Sequence, residues 1–250
     1  MSRIKQWMQG LGVVYVLLLS GIFWNAFAIG HNEAEVETAS QYEANYQDAN
    51  QGTSQADNGK EVSEEPKIAL TFDDGPSASC TPGLLDGLKE RGVHATFFLI
   101  GKNIEQGENA QIVKREYEEG HLVGNHTYHH VEITRVSDAD AYQEIKMTND
   151  LIEGITGEPP EYMRPPFGAW QRTLEQNIHI MPVMWTVDPL DWTTENVDEI
   201  VNKVVTEVQE NDIILLHDCY QSSVKAALRI VDILQAEGFE FVTVDELILN

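Results

Sequence analysis

The sequence predicts an α/β domain built on a parallel sheet, and three observations support that prediction. Short apolar runs alternate with amphipathic helical stretches from Pro66 onward. Glycines such as Gly92, Gly120 and Gly157 stand where helical stretches should end. Polar side chains capable of chemistry follow the apolar runs. So many strand-helix units form either a closed barrel or a doubly wound sheet, and in both folds the site lies at the carboxyl ends of the strands.

The expected elements alternate along the chain. Apolar runs rich in Ile, Val, Leu and Phe predict strands at residues 68–72, 95–100, 122–124, 162–164, 183–187, 213–217 and 240–244. Amphipathic periodicity predicts helices at residues 82–91, 109–119, 138–156, 197–209 and 222–237. Their order, with strands and helices in turn, favours parallel pairing over antiparallel pairing.

An apolar segment precedes this domain. Residues 1–30 contain Arg3 and Lys5, followed by the nearly uncharged run LGVVYVLLLSGIFWNAFA at 11–28. Positive residues before such a run keep that end inside and send the rest across the membrane. The A-F-A at 26–28 favours a signal peptide that is cleaved, whereas the length of the run equally suits a membrane anchor. Both alternatives engage the membrane at least during export and predict an extracytoplasmic protein, secreted or tethered to the outer face of the cytoplasmic membrane.

The next segment, residues 31–65, is rich in Glu, Gln, Asn, Ala, Ser and Asp and nearly lacks aliphatic residues. Because it can bury little apolar area, we expect an acidic disordered linker, and residues 66–250 then form the folded domain. The whole chain has 41 acidic and 16 basic residues, a formal net charge of −25. Nucleic acid is therefore not an expected partner, because phosphate binding needs a basic surface.

The chain has two cysteines, Cys80 and Cys219, which are too few for a scaffold held by disulfides. No Cys-x-x-Cys pair is present, so any metal ion must be bound by His and carboxylate side chains. We expect two unpaired thiols, with an oxidised pair as the alternative in an oxidising compartment.

The first candidate site segment is T-F-D-D-G-P at 71–76. Neighbouring side chains on a regular strand point to opposite faces, so Asp73 and Asp74 can share a pocket only where the strand breaks. Gly75 and Pro76 are residues of the kind that break strands. One carboxylate could then bind a metal ion while the other stays free as a base, although an exposed Asp-Asp turn has the same sequence.

The second segment, N-H-T-Y-H-H at 125–130, contains three of the eight histidines. His126 and His130 are four residues apart, so on a helical turn they would face the same side. Two imidazoles and one carboxylate form a hydrolytic metal site that leaves positions open for water. Spacing alone does not choose between His129 and His130 as the second histidine.

Three weaker segments follow. Arg164 begins R-P-P-F-G, where the prolines stiffen a turn and the arginine can clamp a carboxylate. Asp188 and Asp191 lie in D-P-L-D-W. His217, in L-L-H-D, ends an apolar run, and a buried carboxylate could orient it and raise its pKa. Each of these segments, taken alone, is equally compatible with a structural role.

Taken together and in this order, the five segments resemble the five motifs of the polysaccharide deacetylases, carbohydrate esterase family 4, also called the NodB-homology domain. The resemblance extends from about Ile68 to Val244, nearly the whole domain. It implies an irregular parallel (β/α) barrel with about seven strands, fewer than the eight of a regular β/α barrel.

The resemblance also implies a set of metal ligands and a base. Asp73 would be the general base. A divalent metal ion, with zinc as the expected ion, would be bound by Asp74, His126 and His130. In this family the last histidine of the motif is the ligand, which selects His130 over His129.

Further roles follow from the same resemblance. Arg164 would hold Asp73 as a carboxylate, and Asp191 would orient His217, the general acid. The backbone N–H of Phe167, a position that is often Tyr in the family, would stabilise the oxyanion. The pocket for the acetyl methyl group would be walled by Trp192 and Leu215.

The implied function is metal-dependent removal of acetyl groups from a polysaccharide, with N-acetylglucosamine units of peptidoglycan or a related polymer as the leading substrate. One alternative is an esterase that removes O-acetyl groups from xylan, since the same family performs both reactions. A second alternative is a wall-binding domain that has lost catalysis. The sequence disfavours this second alternative because the implied base, acid and metal ligands are all present. They are Asp73, His217, Asp74, His126 and His130.

Overall fold

The computed structural model describes residues 65–170, 172–176 and 178–249. The predicted apolar segment at 1–30 and, apart from Glu65, the predicted linker at 31–65 lie outside the described residues and stay predictions. Within the described ranges, no helix is both long and apolar enough to cross a bilayer.

Seven strands form one sheet, and every pairing between them is parallel, as predicted. The strands are β1 (Lys67–Gly75), β2 (Thr96–Leu99), β3 (Leu122–Asn125), β4 (Tyr162–Met163), β5 (Met181–Pro182), β6 (Ile213–His217) and β7 (Glu240–Val242). Their hydrogen-bonded order is β5-β4-β3-β2-β1-β6, and β7 pairs with the first residues of β1.

Seven helices connect or flank the described strands. They are α1 (Thr81–Glu90), α2 (Gly101–Ile104), α3 (Asn109–Glu118), α4 (Asp138–Thr156), α5 (Val197–Glu207), α6 (Gln221–Ala236) and α7 (Val244–Ile248). Ser137 caps the start of α4 by accepting a hydrogen bond from the N–H of Asp140, and Gly157 ends that helix with φ of +88°. The described residues also contain four short 3₁₀ turns, at Ile133–Arg135, Pro166–Gly168, Arg172–Gln176 and Asp191–Thr193.

The central strand β1 is buried along nearly its whole length, as expected for a strand with neighbours on both edges. Ile68, Leu70 and Phe72 belong to the main apolar cluster beneath the helices, and Phe72 stacks on Phe97 of β2 with ring centroids 5.2 Å apart. This packing fixes the carboxyl end of β1, which carries the two aspartates of the first motif.

The segment after β5 closes the ring of strands. The N–H of Val183 donates to the carbonyl of Met163 on β4, and the N–H of Leu215 on β6 donates to the carbonyl of Val187. The predicted strand at 183–187 is therefore wrong in its bounds. This stretch crosses from the β4 side to the β6 side, so it cannot pair with either strand over its whole length. The result agrees with the predicted irregular parallel barrel of about seven strands.

Two helices escaped prediction. α2 has only four residues, too few to show periodicity. α7 occupies the end of the predicted strand at 240–244 and begins with a capping box formed by Thr243 and Glu246. The T-x-x-E pattern of that box was visible in the sequence and is the signal that would have placed the helix.

Candidate active site

The two aspartates share one pocket because β1 is distorted at Asp74. That residue has φ of +70°, and the register of β1 against β2 shifts between Asp73 and Gly75. Such a bulge re-aims a side chain that a regular strand would send to the opposite face. The break thus lies at Asp74 itself, and a cis peptide bond between Gly75 and Pro76 follows it. We refer to residues 74–77 as the metal turn.

The two histidines reach the metal turn from an irregular loop and not from the helical turn that was considered for their four-residue spacing. Residues 126–131 are not helical, and Thr127 and His130 have φ of +61° and +57°. The Nε2 atoms of His126 and His130 lie 3.5 and 3.4 Å from Oδ1 of Asp74. One ligand atom from each of the three side chains lies within 4.8 Å of the others.

Glu144 on α4 explains why the loop presents His130 and not His129. Its carboxylate accepts hydrogen bonds from the backbone N–H of His129 at 2.7 Å and from Nδ1 of the same residue at 2.8 Å. The N–H of Tyr128 donates to it at 3.1 Å. Sequence reasoning missed Glu144, because its position on a helix face carries no signal of a contact with a distant loop.

The imidazoles are oriented for metal binding. Nδ1 of His126 lies 2.6 Å from the carbonyl oxygen of Arg164, which can only accept, so Nδ1 carries the proton and Nε2 is left free. Burial, followed by the neighbouring His126, lowers the pKa of His130, which favours the neutral ring that a metal ion requires.

The donor set fits a divalent cation. Oδ1 of Asp74 is buried and has no hydrogen-bond partner among the described residues. Burial opposes ionisation of this carboxyl, but His126 and His130 outweigh it and lower the pKa of Asp74. An ionised oxygen without a donor, facing two imidazole nitrogens, is stabilised when a cation binds between them.

Asp73 lies beside this set and is held by Arg164. Nη1 of the guanidinium donates to Oδ1 of Asp73 at 2.8 Å, and both side chains are almost completely buried. Oδ2 of Asp73 faces the other way and lies 3.8 Å from Nε2 of His126. One oxygen is thus fixed by a permanent cation, and the other points toward the candidate metal site.

The Arg164 side chain is itself held on several sides. It donates to Oγ1 of Thr71 at 2.7 Å and to the carbonyl oxygens of Val183 and Met184 at 3.3 and 3.1 Å. Its guanidinium carbon lies 4.4 Å from the centroid of the Phe98 ring. With this many partners the arginine has little freedom to leave Asp73. Sequence reasoning did not identify these partners, which lie on three different segments.

His217 and Asp191 form a second charged pair. His217 ends β6 opposite Asp73 in the β1–β6 register. Its Nδ1 lies 2.7 Å from Oδ1 of Asp191, and its backbone N–H donates to Oδ2 at 2.9 Å. Burial lowers the pKa of His217, but the hydrogen bond and charge of Asp191, with smaller contributions from Asp73 and Asp74, outweigh it and raise the value to about 9.

Three apolar residues of the predicted site surround these polar groups. Phe167 is exposed, has φ of +61°, and its ring centroid lies 4.8 Å from that of His130. Leu215 is buried on β6, two residues before His217, and Trp192 is exposed directly after Asp191. The roles of these residues in an oxyanion hole and an acetyl pocket stay predictions.

The remaining polar candidates belong neither to the candidate metal ligands nor to the candidate base and acid. Asp188 accepts the N–H of Leu190 at 2.8 Å and so shapes the loop before Asp191. Cys80 and Cys219 are both free thiols, and Sγ of Cys80 donates to the carbonyl oxygen of Cys219 at 3.4 Å. This arrangement agrees with the prediction of two unpaired thiols.

Strained backbone is concentrated at this end of the barrel. Among the described residues, the non-glycine residues with positive φ are Asp74, Thr127, His130, Phe167, Leu190 and Asn211. Asp74, Thr127 and His130 belong to the segments that carry the candidate ligands, Phe167 is the candidate oxyanion residue, and Leu190 directly precedes Asp191. Such conformations persist only where surrounding contacts hold them, and they are typical of functional sites.

The fold and site define a class of protein: a parallel (β/α) barrel with an Asp-His-His group that could hold a metal ion, a clamped carboxylate and a His-Asp pair at the carboxyl ends of its strands. A sequence profile of the polysaccharide deacetylase family matches residues 60–183. A peptidoglycan N-acetylglucosamine deacetylase from Bacillus cereus is 36% identical over 74% of this chain and 89% of its own length. The chain belongs to the polysaccharide deacetylase family.

Two further comparisons agree. Peptidoglycan deacetylase PdaC from Bacillus subtilis has a solved structure that matches with a TM-score of 0.71 and 38% identity, over 74% of this chain and 90% of that one. The peptidoglycan N-acetylglucosamine deacetylase PgdA of Listeria monocytogenes is 41% identical over 72% of this chain. That alignment covers only 38% of the Listeria protein, so the chain corresponds to part of this longer relative.

Proposed function

We propose that the protein is a metal-dependent hydrolase that removes N-acetyl groups from N-acetylglucosamine units of peptidoglycan or a related glycan. The observation that carries the proposal is the convergence of three devices at one end of the barrel. These are the Asp74-His126-His130 donor set, the clamped Asp73 and the paired His217. Together they supply a cation site, a base and an acid, which amide hydrolysis requires.

The donor set would hold a divalent cation, and we propose zinc because two imidazoles and one carboxylate are a common zinc set. When bound, the cation supplies Lewis acidity, which polarises an acetyl carbonyl and makes water easier to deprotonate. Asp73 takes the proton from the attacking water through Oδ2, since Oδ1 is occupied by Arg164.

His217 completes the reaction by protonating the departing amine. Its Nδ1 proton is held by Asp191, so Nε2 is the nitrogen that faces the substrate and carries the proton to be transferred. An amide needs this proton because a free amide anion is a very poor leaving group. The backbone N–H of Phe167 stabilises the oxyanion, and Trp192 with Leu215 encloses the acetyl methyl group.

The substrate class follows from the relatives and the expected location. The named relatives from Bacillus cereus, Bacillus subtilis and Listeria monocytogenes are peptidoglycan deacetylases. An exported domain, secreted or tethered by residues 1–30 and extended by an acidic linker, could reach glycan strands of the cell wall. The net charge of −25 argues against nucleic acid as the partner.

Acetate release by the purified protein tests the proposal. N-acetylglucosamine oligomers, peptidoglycan and acetylxylan would each be assayed after chelation and again after zinc is restored. We expect zinc-restored release from the first two. The Asp73→Asn variant should be inactive, and the matched Asp188→Asn variant should retain activity because Asp188 only shapes a loop.

Each other outcome has a distinct meaning. Release from acetylxylan alone would replace the amidase proposal with the esterase alternative. Release that survives chelation would contradict the metal requirement. A folded, zinc-loaded protein that releases no acetate from any substrate would overturn the enzyme proposal in favour of a glycan-binding domain.

A further inference from the structure

A buried carboxylate that the proposed mechanism does not use lies directly behind the metal turn. Asp218 follows His217 at the end of β6, and its side chain is completely buried. A methyl group added at Gly75 would lie 2.6 and 2.8 Å from the two carboxylate oxygens of Asp218. Gly75 is not among the residues with positive φ, so the approach of Asp218, rather than backbone conformation, requires a glycine at this position.

A hydrogen-bond relay reinforces this contact. Oγ1 of Thr81, at the start of α1, donates to Oδ2 of Asp218. The same hydroxyl accepts the backbone N–H of Ser77 at 2.8 Å. The contact at Gly75 and the relay through Thr81 therefore hold the metal turn at two points, and both end on the carboxylate of Asp218.

The opposite side of the metal turn is held differently. The carbonyl oxygens of residues 74, 75 and 76 accept hydrogen bonds from the side chain of Asn103 at 2.8 Å, the backbone N–H of Ile100 at 3.0 Å and the side chain of Asn109 at 3.1 Å. All three donors follow β2 in the chain. Asp218 is thus the link between the metal turn and β6, the strand that carries His217.

We propose that Asp218 is a positioning residue that sets the metal ligand Asp74 at the correct distance from the base Asp73 and the acid His217. The inference rests on the proposed function for the roles of these three residues. Asp73 and His217 are partners in the β1–β6 register, and Asp218 is the next residue along β6. The strand pairing therefore fixes the base relative to the acid, and fixing the metal turn against Asp218 adds the ligand Asp74 to this arrangement.

Asp218 positions the metal turn through its shape and its hydrogen bond rather than through its charge. Oδ1 of Asp218 has no hydrogen-bond partner among the described residues. Burial raises the pKa of Asp218 to about 7, against the opposing effect of the Thr81 hydrogen bond. Because the neutral acid suits this environment, asparagine, which has nearly the same shape and can accept from Thr81, should replace it.

Zinc affinity, measured on the full chain by competition with a chromogenic chelator and without substrate, tests the proposal. We expect Asp218→Ala and Thr81→Val to weaken zinc binding by about 10- to 100-fold, the usual effect of losing a group that orients metal ligands. Asp218→Asn should stay within about 3-fold of the parent, well below the loss expected when an orienting group is removed. The matched control is Glu116→Ala, which removes another completely buried carboxylate, one on α3 that forms no hydrogen bond with the described residues, and should leave zinc affinity unchanged.

Folding and function are separated by further measurements. Circular dichroism of the chelated variants shows whether each one folds. If Asp218→Ala does not fold, Thr81→Val still tests the proposal. Gly75→Ala should lose zinc affinity because its methyl group collides with the carboxylate. The double variant Gly75→Ala/Asp218→Ala should regain affinity over Gly75→Ala, because the methyl group then enters the vacated space.

The kinetic measurement is acetate release from N-acetylglucosamine oligomers at saturating zinc. We expect the variants to lower kcat more than they raise KM, because a misplaced metal ligand slows the reaction more than it weakens substrate binding. A folded Asp218→Ala variant with the zinc affinity and kcat of the parent would overturn the inference, as would a Gly75→Ala defect that Asp218→Ala does not relieve. If the parent binds zinc but releases no acetate, the proposed function fails while the zinc measurements still judge the role of Asp218.

Discussion

The metal half and the acid half of the site are built in opposite ways. In the acid half, His217 ends a regular strand, and both oxygens of Asp191 accept hydrogen bonds from it. In the metal half, Asp74 and His130 have left-handed backbone conformations, and Oδ1 of Asp74 is buried without a partner. The acid half is satisfied by the chain alone, whereas under the proposed function the metal half gains its missing partner from a bound cation.

This difference has an energetic consequence. A buried polar atom without a partner and a strained backbone each raise the free energy of the folded chain, by about 1–3 kcal/mol for each feature. Cation binding offsets such costs because it stabilises only the folded arrangement of ligands. The metal half should therefore respond to chelation far more strongly than the acid half.

The largest expected effect comes from breaking the metal half. His126→Ala removes a ligand and should reduce zinc binding and acetate release to the level of the chelated protein, with every acetylated substrate. The matched control is His129→Ala, because His129 is held by Glu144 away from the donor set. Isothermal titration with zinc and acetate assays measure both variants. Equal losses from the two variants would contradict the assignment of His126 and His130 as the ligands.

Breaking the acid half should have a smaller and more selective effect. His217→Ala removes the proton donor for the leaving amine and should slow amide cleavage by about 10²–10⁴-fold. An activated ester such as 4-nitrophenyl acetate has a leaving group that needs no proton, so its hydrolysis should change little. Comparing kcat/KM on both substrates measures this selectivity. Similar losses on amide and ester would show that His217 does not act as the acid.

Sequence and structure agree best where chemistry depends on strand ends. The carboxyl ends of parallel strands meet at one edge, so their order along the chain was enough to bring Asp73, Asp74 and His217 together. The strand at Ile213–His217 and the helix at Asp138–Thr156 have the bounds that periodicity and caps predicted. These features depend on local patterns, which a sequence displays directly.

The features that escaped prediction depend on contacts between distant segments. His126 and His130 converge through left-handed residues and not through a helical turn. Their four-residue spacing is compatible with both backbone conformations and does not distinguish them. The carboxylate of Glu144, which selects His130, lies on a helix whose face can be predicted but whose docking cannot. Two of the groups that hold Arg164 are backbone carbonyls, which every residue has. The sequence therefore cannot show which carbonyls accept hydrogen bonds from Arg164, and only the fold does.

A still smaller effect should appear as a shift in pH dependence. Asp191→Asn removes the charge that outweighs burial at His217, so the pKa of His217 should fall from about 9. A general acid works only while protonated, so activity on amides is lost as pH rises through that pKa. The alkaline limb of kcat/KM should therefore move to lower pH in the variant. A cation bound at Asp74 offsets the contributions of Asp73 and Asp74 but leaves that of Asp191 in place.

The matched control for this shift is the ester substrate. Its alkaline limb should be the same in the parent and in Asp191→Asn, because ester cleavage does not need the acid. A limb that stays in place for the amide would contradict the role of Asp191 in setting the protonation of His217.

The smallest expected effect lies outside the site, at Glu116 on α3. Both of its carboxylate oxygens are buried without a partner among the described residues, and no ligand set surrounds them. Burial, followed by repulsion from Asp218, raises the pKa of Glu116 well above 4.5. The folded protein therefore holds a proton there that the unfolded chain releases above that pH, so this group makes the folded state less stable as pH rises.

Glu116→Gln removes this titration while keeping the shape of the side chain. Below pH 4.5 the variant should gain nothing, since the carboxyl is protonated in both states of the parent. Above it, the stability of the variant relative to the parent should increase by up to about 1.4 kcal/mol for each pH unit until the pKa of the folded state is reached. Urea unfolding across the pH range measures the difference, with Glu118→Gln, an exposed carboxylate on the same helix, as baseline. A difference that does not grow with pH would mean that Glu116 has a partner or solvent access, and the contrast with Asp74, where the missing partner is a cation, would no longer hold.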